Sequence, residues 1–176
     1  MKSELFIIQD ILATNNVECV LDIGAGKWYA SLFCASYGAQ IDAVDDGSMA
    51  SFWFPKILEN HPKIDFHDVD IAAFHFPRTY NLVLMTNVIM FLDKELFFDT
   101  LFPKILASLS KGGHIVLSFF LSNDQWLKEE MNLYDLKDFT LPWISVVKSF
   151  DSTFQEDHPP QGLHMHHVQY LVLKKI

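Results

Sequence analysis

The stretch Val20-Leu21-Asp22-Ile23-Gly24-Ala25-Gly26 decides how this chain is read. Val20, Leu21 and Ile23 form a short apolar run of the kind that fills a strand covered on both faces. Gly24 and Gly26 follow at once. Their backbone freedom allows a sharp turn, and their missing side chains let a ligand approach the main chain. Positions 27–37 have helical spacing, and Gly38 stands where a helix C′ glycine belongs. Strand, glycine turn and helix N-terminus together predict a nest of outward-pointing N–H groups that receives an anion.

The letters that follow speak against two ligand classes. A dinucleotide fingerprint needs a third glycine three residues after the second, and that place holds Tyr29. This disfavours a nucleotide-dependent oxidoreductase. A phosphate loop needs Gly-Lys-Ser/Thr, and here Gly26-Lys27 runs into Trp28.

Working outward, strands and helices alternate. Positions 3–15 read as a short amphipathic helix with Leu5, Ile8, Ile11 and Leu12 on one stripe. A second strand, 39–44, ends at Asp45-Asp46-Gly47. An acid roughly 20 residues beyond the glycine turn is placed to accept hydrogen bonds from ribose hydroxyls. Asp45 fits that role best, with Asp46 beside it, although both are also ordinary turn formers. Ser48 then caps a helix carrying Met49, Phe52, Trp53 and Ile57, kinked at Pro55. The third strand, 63–67, leads into Asp68-Val69-Asp70, and the fourth is 80–86. Ligands of open α/β sheets sit outside the carboxyl ends of the strands, so Thr86 and Asn87 are expected to line the site, with Met90 and Phe91 as an apolar wall. Asp93 caps a helix that reaches Leu109 and kinks at Pro103. Lys111-Gly112-Gly113 precedes strand five at 114–120, and Asn123 or Asp124 caps a helix near 125–132. Strands 144–150 and 165–174, joined by a polar loop at 151–162, suit an antiparallel pair with the seventh strand inserted beside the fifth. The fold class is therefore α/β: one domain, 1–176, built on a doubly wound, mostly parallel seven-stranded sheet whose last strand is antiparallel.

Composition narrows the function. The 176 residues carry 13 Lys and Arg against 22 Asp and Glu, a formal net charge of −9, without a basic cluster. A nucleic-acid partner is disfavoured, and a small-molecule substrate is favoured. No apolar run is long enough to span a bilayer, and the first residues lack a signal-peptide layout, so a cytoplasmic setting is expected. Cys19 and Cys34 have neither disulfide nor zinc spacing. The sequence leaves homo-oligomerisation open.

Asp22-x-Gly24-x-Gly26 directly after an apolar strand resembles the first motif of the class I S-adenosylmethionine-dependent methyltransferases, although the third motif glycine is Trp28 here. Ile41-Asp42-Ala43-Val44-Asp45, the 86–92 turn and Gly162-Leu163-His164 are most similar to the small methyltransferases of the tellurite-resistance type. The resemblance implies S-adenosylmethionine as cofactor and a small methyl acceptor, such as a thiol or a metalloid oxyanion. It implies that the N–H groups of Gly24, Ala25 and Gly26 meet the methionine carboxylate. Asp22 would orient the turn or take the ammonium through a water, and Asp45 would hold the ribose. Asp68 with Val69 N–H would read the adenine. It also implies that His164 approaches the acceptor, where a histidine serves as general base near neutral pH. His164 and His166 share one strand face, but no third metal ligand stands at sensible spacing, so no metal is expected. The competing reading is a non-catalytic binding or dimerising module whose cofactor site is closed by Trp28.

Overall fold

The computed structural model describes residues 3–46, 61–158 and 162–176. The helix expected after Ser48 lies outside the described residues. A seven-stranded sheet runs in the order β3-β2-β1-β4-β5-β7-β6. Its strands are β1 (Cys19–Ile23), β2 (Gln40–Asp45), β3 (Ile64–Asp68), β4 (Tyr80–Thr86), β5 (Leu109–Phe120), β6 (Ile144–His158) and β7 (Gly162–Lys175). β7 is antiparallel to both neighbours and stands beside β5, as expected; the other ladders are parallel.

The apolar runs explain the centre of the sheet. Val20, Leu21 and Ile23 of β1 and Leu82, Val83, Leu84 and Met85 of β4 are buried. Strands covered on both faces tolerate continuous hydrophobic sequence, and these two sit mid-sheet. β1 pairs with β2 on one side and β4 on the other, so the strand order reverses between β1 and β4. A crevice opens at the carboxyl ends of strands where such a reversal occurs.

Helix α1 (Ser3–Thr14) and helix α2 (Tyr29–Ser36) cover one face of the sheet. Ile7, Ile8 and Ile11 supply the buried side of α1. On the opposite face, Phe97, Phe98 and Phe102 pack with Tyr134 and Phe139 around Phe119. The helix bearing the first three, α3 (94–108), starts at Asp93, whose carboxylate accepts the Leu96 N–H at 2.8 Å. Pro103 was expected to kink it. Just before the proline the helix takes a π turn at Phe97–Leu101, and Phe102 N–H reaches back to Phe97 O. The wider turn absorbs a residue that has no N–H to donate.

Three boundaries differ from expectation. β5 begins at Leu109, because the Lys111-Gly112-Gly113 segment stays in the strand. No helix forms at 125–132; Asp124 spends its carboxylate on Trp126 N–H and on His167 N–H across the fold. The polar segment 151–162 is not a loop along most of its length: β6 runs on to His158 and pairs with β7 back to Gly162. Its alternating half-buried and exposed residues are those of a strand with one solvated face.

Candidate active site

The crevice at the β1–β4 reversal holds a cleft of about 220 Å³. Its walls include Asp22, Gly24, Ala25, Gly26, Thr86 and Asn87, which the sequence placed together. They also include Trp28, at the third motif position, and Phe91, expected as an apolar wall, whereas Met90, expected beside it, is buried away from the cleft; Glu4, Lys27, Phe120, Trp126, Phe154, Glu156 and His166 complete the list without having been expected there.

Gly24 and Gly26 adopt φ of +67° and +48°, the left-handed region that glycine enters without penalty. A Cβ on Gly24 would lie 2.5 Å from Cγ2 of Val88, so the bare turn is also a steric requirement. The expected anion nest is not present. Gly24 N–H and Ala25 N–H donate to Val44 O at 2.9 and 3.2 Å, and Gly26 N–H donates to Asp45 Oδ2 at 2.9 Å. The end of β2 folds across the turn and uses these donors. What the turn offers a ligand is bare backbone beside two carboxylates, an environment suited to positive charge.

Asp22 is 2% exposed and accepts the Ser31 hydroxyl at 2.6 Å. Burial pushes its carboxyl up to about 6; Ser31 opposes the shift and nearby Asp45 adds to it. Cys34 lies close by, and burial, with Asp22 adding, drives its thiol above the usual range, far from a reactive thiolate. Cys19 and Cys34 are both free.

Trp28 occupies the third motif position with φ +63°. The place demands a left-handed residue, which is why glycine suits it. The indole is 1% exposed and meets Phe66 of β3 edge-on at 4.5 Å. It forms part of the cleft wall without filling the cleft. Closure of the site by this ring, the basis of the module reading, is not what the structure shows.

The other expected residues are placed less uniformly. Asn87 lies on the wall with its side-chain oxygen occupied: Oδ1 accepts the Ser118 hydroxyl at 2.9 Å, and the Asn87 backbone N–H donates to Ser118 Oγ at 3.0 Å. Its φ of +55° is the kind of torsion found at ligand-binding turns. Asp46 is exposed. Asp68 is also exposed, and Val69 N–H, expected to meet an adenine nitrogen, donates instead to Asp45 O at 3.0 Å. None of Asp45, Asp46, Asp68 and Val69 is among the residues lining the cleft; Asp45 touches it only through its bond to Gly26.

Among the histidines it is His166, not His164, that lines the cleft. His166 is 2% exposed, and its Nδ1 faces Asp124 Oδ2 at 3.2 Å. Its Nε2 meets Nε2 of His164 at 2.9 Å, while His164 Nδ1 faces Gly162 O at 2.8 Å. Phe120 stacks on the His166 ring at 5.1 Å and Phe154 leans on it at 5.2 Å. Burial lowers the His166 imidazole below its ordinary value, with Asp124 opposing. Over this group, Glu4 of α1 accepts the Tyr170 hydroxyl at 3.3 Å. Among the described residues no group of three or more His, Cys, Asp or Glu could hold a metal ion, and no helix is long and apolar enough to cross a membrane.

Comparison with known proteins agrees with this geometry. The profile of the family described as "Tellurite resistance protein TehB" matches residues 6–126. The structure is similar to that of TehB from Haemophilus influenzae, with a TM-score of 0.78 at 14% identity, covering 100% of this chain and 63% of that one. The present chain thus spans less than two thirds of that protein. It is also similar to the N-methyltransferase NodS from Bradyrhizobium japonicum WM9 in complex with S-adenosyl-l-homocysteine: TM-score 0.73, 15% identity, covering 98% of this chain and 84% of that one. No curated protein matches.

Proposed function

This chain belongs to the TehB tellurite-resistance family, and on that premise we propose that it transfers a methyl group from S-adenosylmethionine to a small molecule bound in the β1–β4 cleft. One observation carries the reading: a side-chain-free turn with Asp22 on the cleft wall and Asp45 bonded to it, at the strand-order reversal. The donors of the turn are used internally, so a pyrophosphate has little to bind there. A ligand carrying a sulfonium and an ammonium matches the two acids.

The residues fit such a cofactor. Gly24 and Gly26 present backbone without side chains on the cleft wall. Asp45, fixed by the Gly26 N–H, is the residue to hold ribose hydroxyls, and Asp22 the residue to receive the ammonium. Thr86 and Asn87 border the path from cofactor to acceptor. When bound, S-adenosylmethionine supplies an already activated methyl group. The protein's task is then to hold the acceptor in line and to exclude water. Phe91, Phe120, Trp126 and Phe154 supply apolar surface on the cleft wall.

Calorimetric titration with S-adenosylmethionine, S-adenosylhomocysteine and NAD tests the reading. Binding of the first two and not the third is expected. Binding of NAD alone, or of none, would overturn it.

A further inference from the structure

The strand order lays the cleft out from one end to the other. The glycine turn follows β1, Thr86 closes β4 with Asn87 next to it, Phe120 ends β5, His166 stands on β7 and Phe154 on β6. In the sheet these strands run β1-β4-β5-β7-β6. With neighbouring strands about 4.8 Å apart, Phe120 lies two strands, roughly 10 Å, from the glycine turn, and Phe154 lies further still. The end away from the turn is aromatic. Phe154 is paired with His166 across the β6–β7 ladder, and their rings lie 5.2 Å apart. Phe120 stacks on the same imidazole at 5.1 Å, and the Trp126 indole stands 6.0 Å from Phe120 and 5.9 Å from His166.

These rings take two orientations. Phe120 and His166 are within 18° of parallel, whereas Trp126 stands at 79° to the first and 84° to the second. The result is a corner whose walls meet nearly at right angles. Phe120 and His166 are 4% and 2% exposed and form its back, while Trp126 and Phe154 are half-buried and offer ring surface to the cleft. Both nitrogens of His166 are engaged, Nδ1 with Asp124 and Nε2 with His164, so its part in the corner is that of a fixed ring. Trp126 is held by the chain on either side. Its N–H donates to Asp124 Oδ1 at 2.8 Å, and Gln125 exchanges two bonds with Met165 of β7, at 2.8 and 3.2 Å. Asn132 donates its N–H to Met90 O at 2.8 Å and its side-chain amide to Leu92 O at 2.9 Å. The segment 124–132 is thus fastened to β7 at one end and to the turn after β4 at the other. An indole placed in advance needs little ordering when a ligand arrives.

We infer that the methyl acceptor carries a flat, uncharged aromatic ring, that this corner is its seat, and that Trp126 is the residue that selects it. The inference rests on the methyltransferase reading above and names the acceptor class for that site. Aromatic rings attract one another offset-stacked or edge to face. A ring lying on the indole turns its edge toward Phe120, so the corner meets both preferences at once. A saturated ring of the same size has no π face to match. An oxyanion meets the negative faces of the rings and gains nothing from them. Between the corner and the glycine turn lies the end of β4, with Thr86 and Asn87 on the wall. That stretch is the place for the acceptor atom that takes the methyl group.

The test uses the full chain saturated with S-adenosylhomocysteine and titrated with 2-naphthol, decahydro-2-naphthol, tetramethylammonium and tellurite, followed by calorimetry and NMR. 2-Naphthol is expected to bind about ten-fold more tightly than its saturated counterpart, the scale of one or two aromatic pairs. It should give intermolecular nuclear Overhauser effects to the Trp126 indole protons. Trp126→Leu keeps apolar bulk and removes the ring. It should weaken 2-naphthol about five-fold and leave decahydro-2-naphthol within about two-fold, and Trp126→Phe should restore most of the loss. In both variants the affinity for S-adenosylhomocysteine should stay within about two-fold of wild type, because the indole stands at the other end of the cleft from the glycine turn. Equal binding of the flat and the saturated ring overturns the inference, as does binding of 2-naphthol that Trp126→Leu leaves unchanged. Binding of tetramethylammonium or tellurite in place of 2-naphthol overturns it too, and so does consumption of tellurite or ethanethiol with thiophenol left untouched. In each of these cases S-adenosylhomocysteine still binds and the methyltransferase reading stands. Failure to bind S-adenosylhomocysteine at all overturns that reading, and this one with it.

Discussion

The carboxylate of Asp45 accepts the backbone N–H of Gly26 at 2.9 Å, tying the end of β2 to the turn that follows β1. This bond orients Asp45 and consumes a donor that would otherwise attract an anion. Asp45→Ala should therefore weaken S-adenosylhomocysteine binding by about 2 kcal/mol or more, the scale of lost charge-assisted hydrogen bonds. The fold should survive, because Asp45 is only half-buried. Calorimetry beside a thermal melt checks both halves; an unchanged affinity removes Asp45 from the site.

Asp22 makes stability depend on pH. Its carboxyl titrates near the usual 3.8 when unfolded and at about 6 when folded. The folded chain thus binds the proton more tightly, and stability falls as pH rises between those values. Above that window the buried charge costs up to about 3 kcal/mol; below it the carboxyl is neutral in both states and the cost disappears. Asp22→Asn should be the more stable protein in urea above pH 6, equal to wild type below pH 4, and poorer at binding cofactor. A stability difference independent of pH would refute the assignment.

Gly24→Ala meets two obstacles: a contact of 2.5 Å with Val88 and a φ of +67°. A loss of about 1–3 kcal/mol is expected from the backbone alone. Adding Val88→Ala should recover only the steric part. If the double variant regains full stability, the torsion is not the constraint.

Trp28→Gly would restore the commoner motif letter and relieve the left-handed torsion, a gain of about 1 kcal/mol. It would also remove a buried indole, at roughly 3–5 kcal/mol. Net destabilisation of roughly 2–4 kcal/mol is expected from denaturant unfolding. A more stable variant would mean that the packing against Phe66 contributes little.

Much of the architecture could be read before any coordinates. Unbroken apolar runs such as Leu82-Val83-Leu84-Met85 announce central strands, and the glycine turn announces the reversal point. What escaped reading is set by distance along the chain. Asp124 meets His166 and Glu4 meets Tyr170 only after folding, so neither pairing leaves a local pattern. A cap looked natural at Asp124, yet its oxygens serve a strand far away in sequence. The segment after Asp151 looked like a loop because it is polar. The alternation of half-buried and exposed positions that marks it as an edge strand appears only once it is paired with β7. The availability of N–H groups at the turn was likewise invisible, because Val44 O and Asp45 come from a neighbouring strand.

Trp28 separates a motif's spelling from its geometry. The turn asks for a dihedral angle, and a bulky residue meets that demand when its ring has somewhere to go, here the hollow beside Phe66. Relatives with other large residues at this place would then carry a matching gap on the third strand, and searches keyed to three glycines would pass them by.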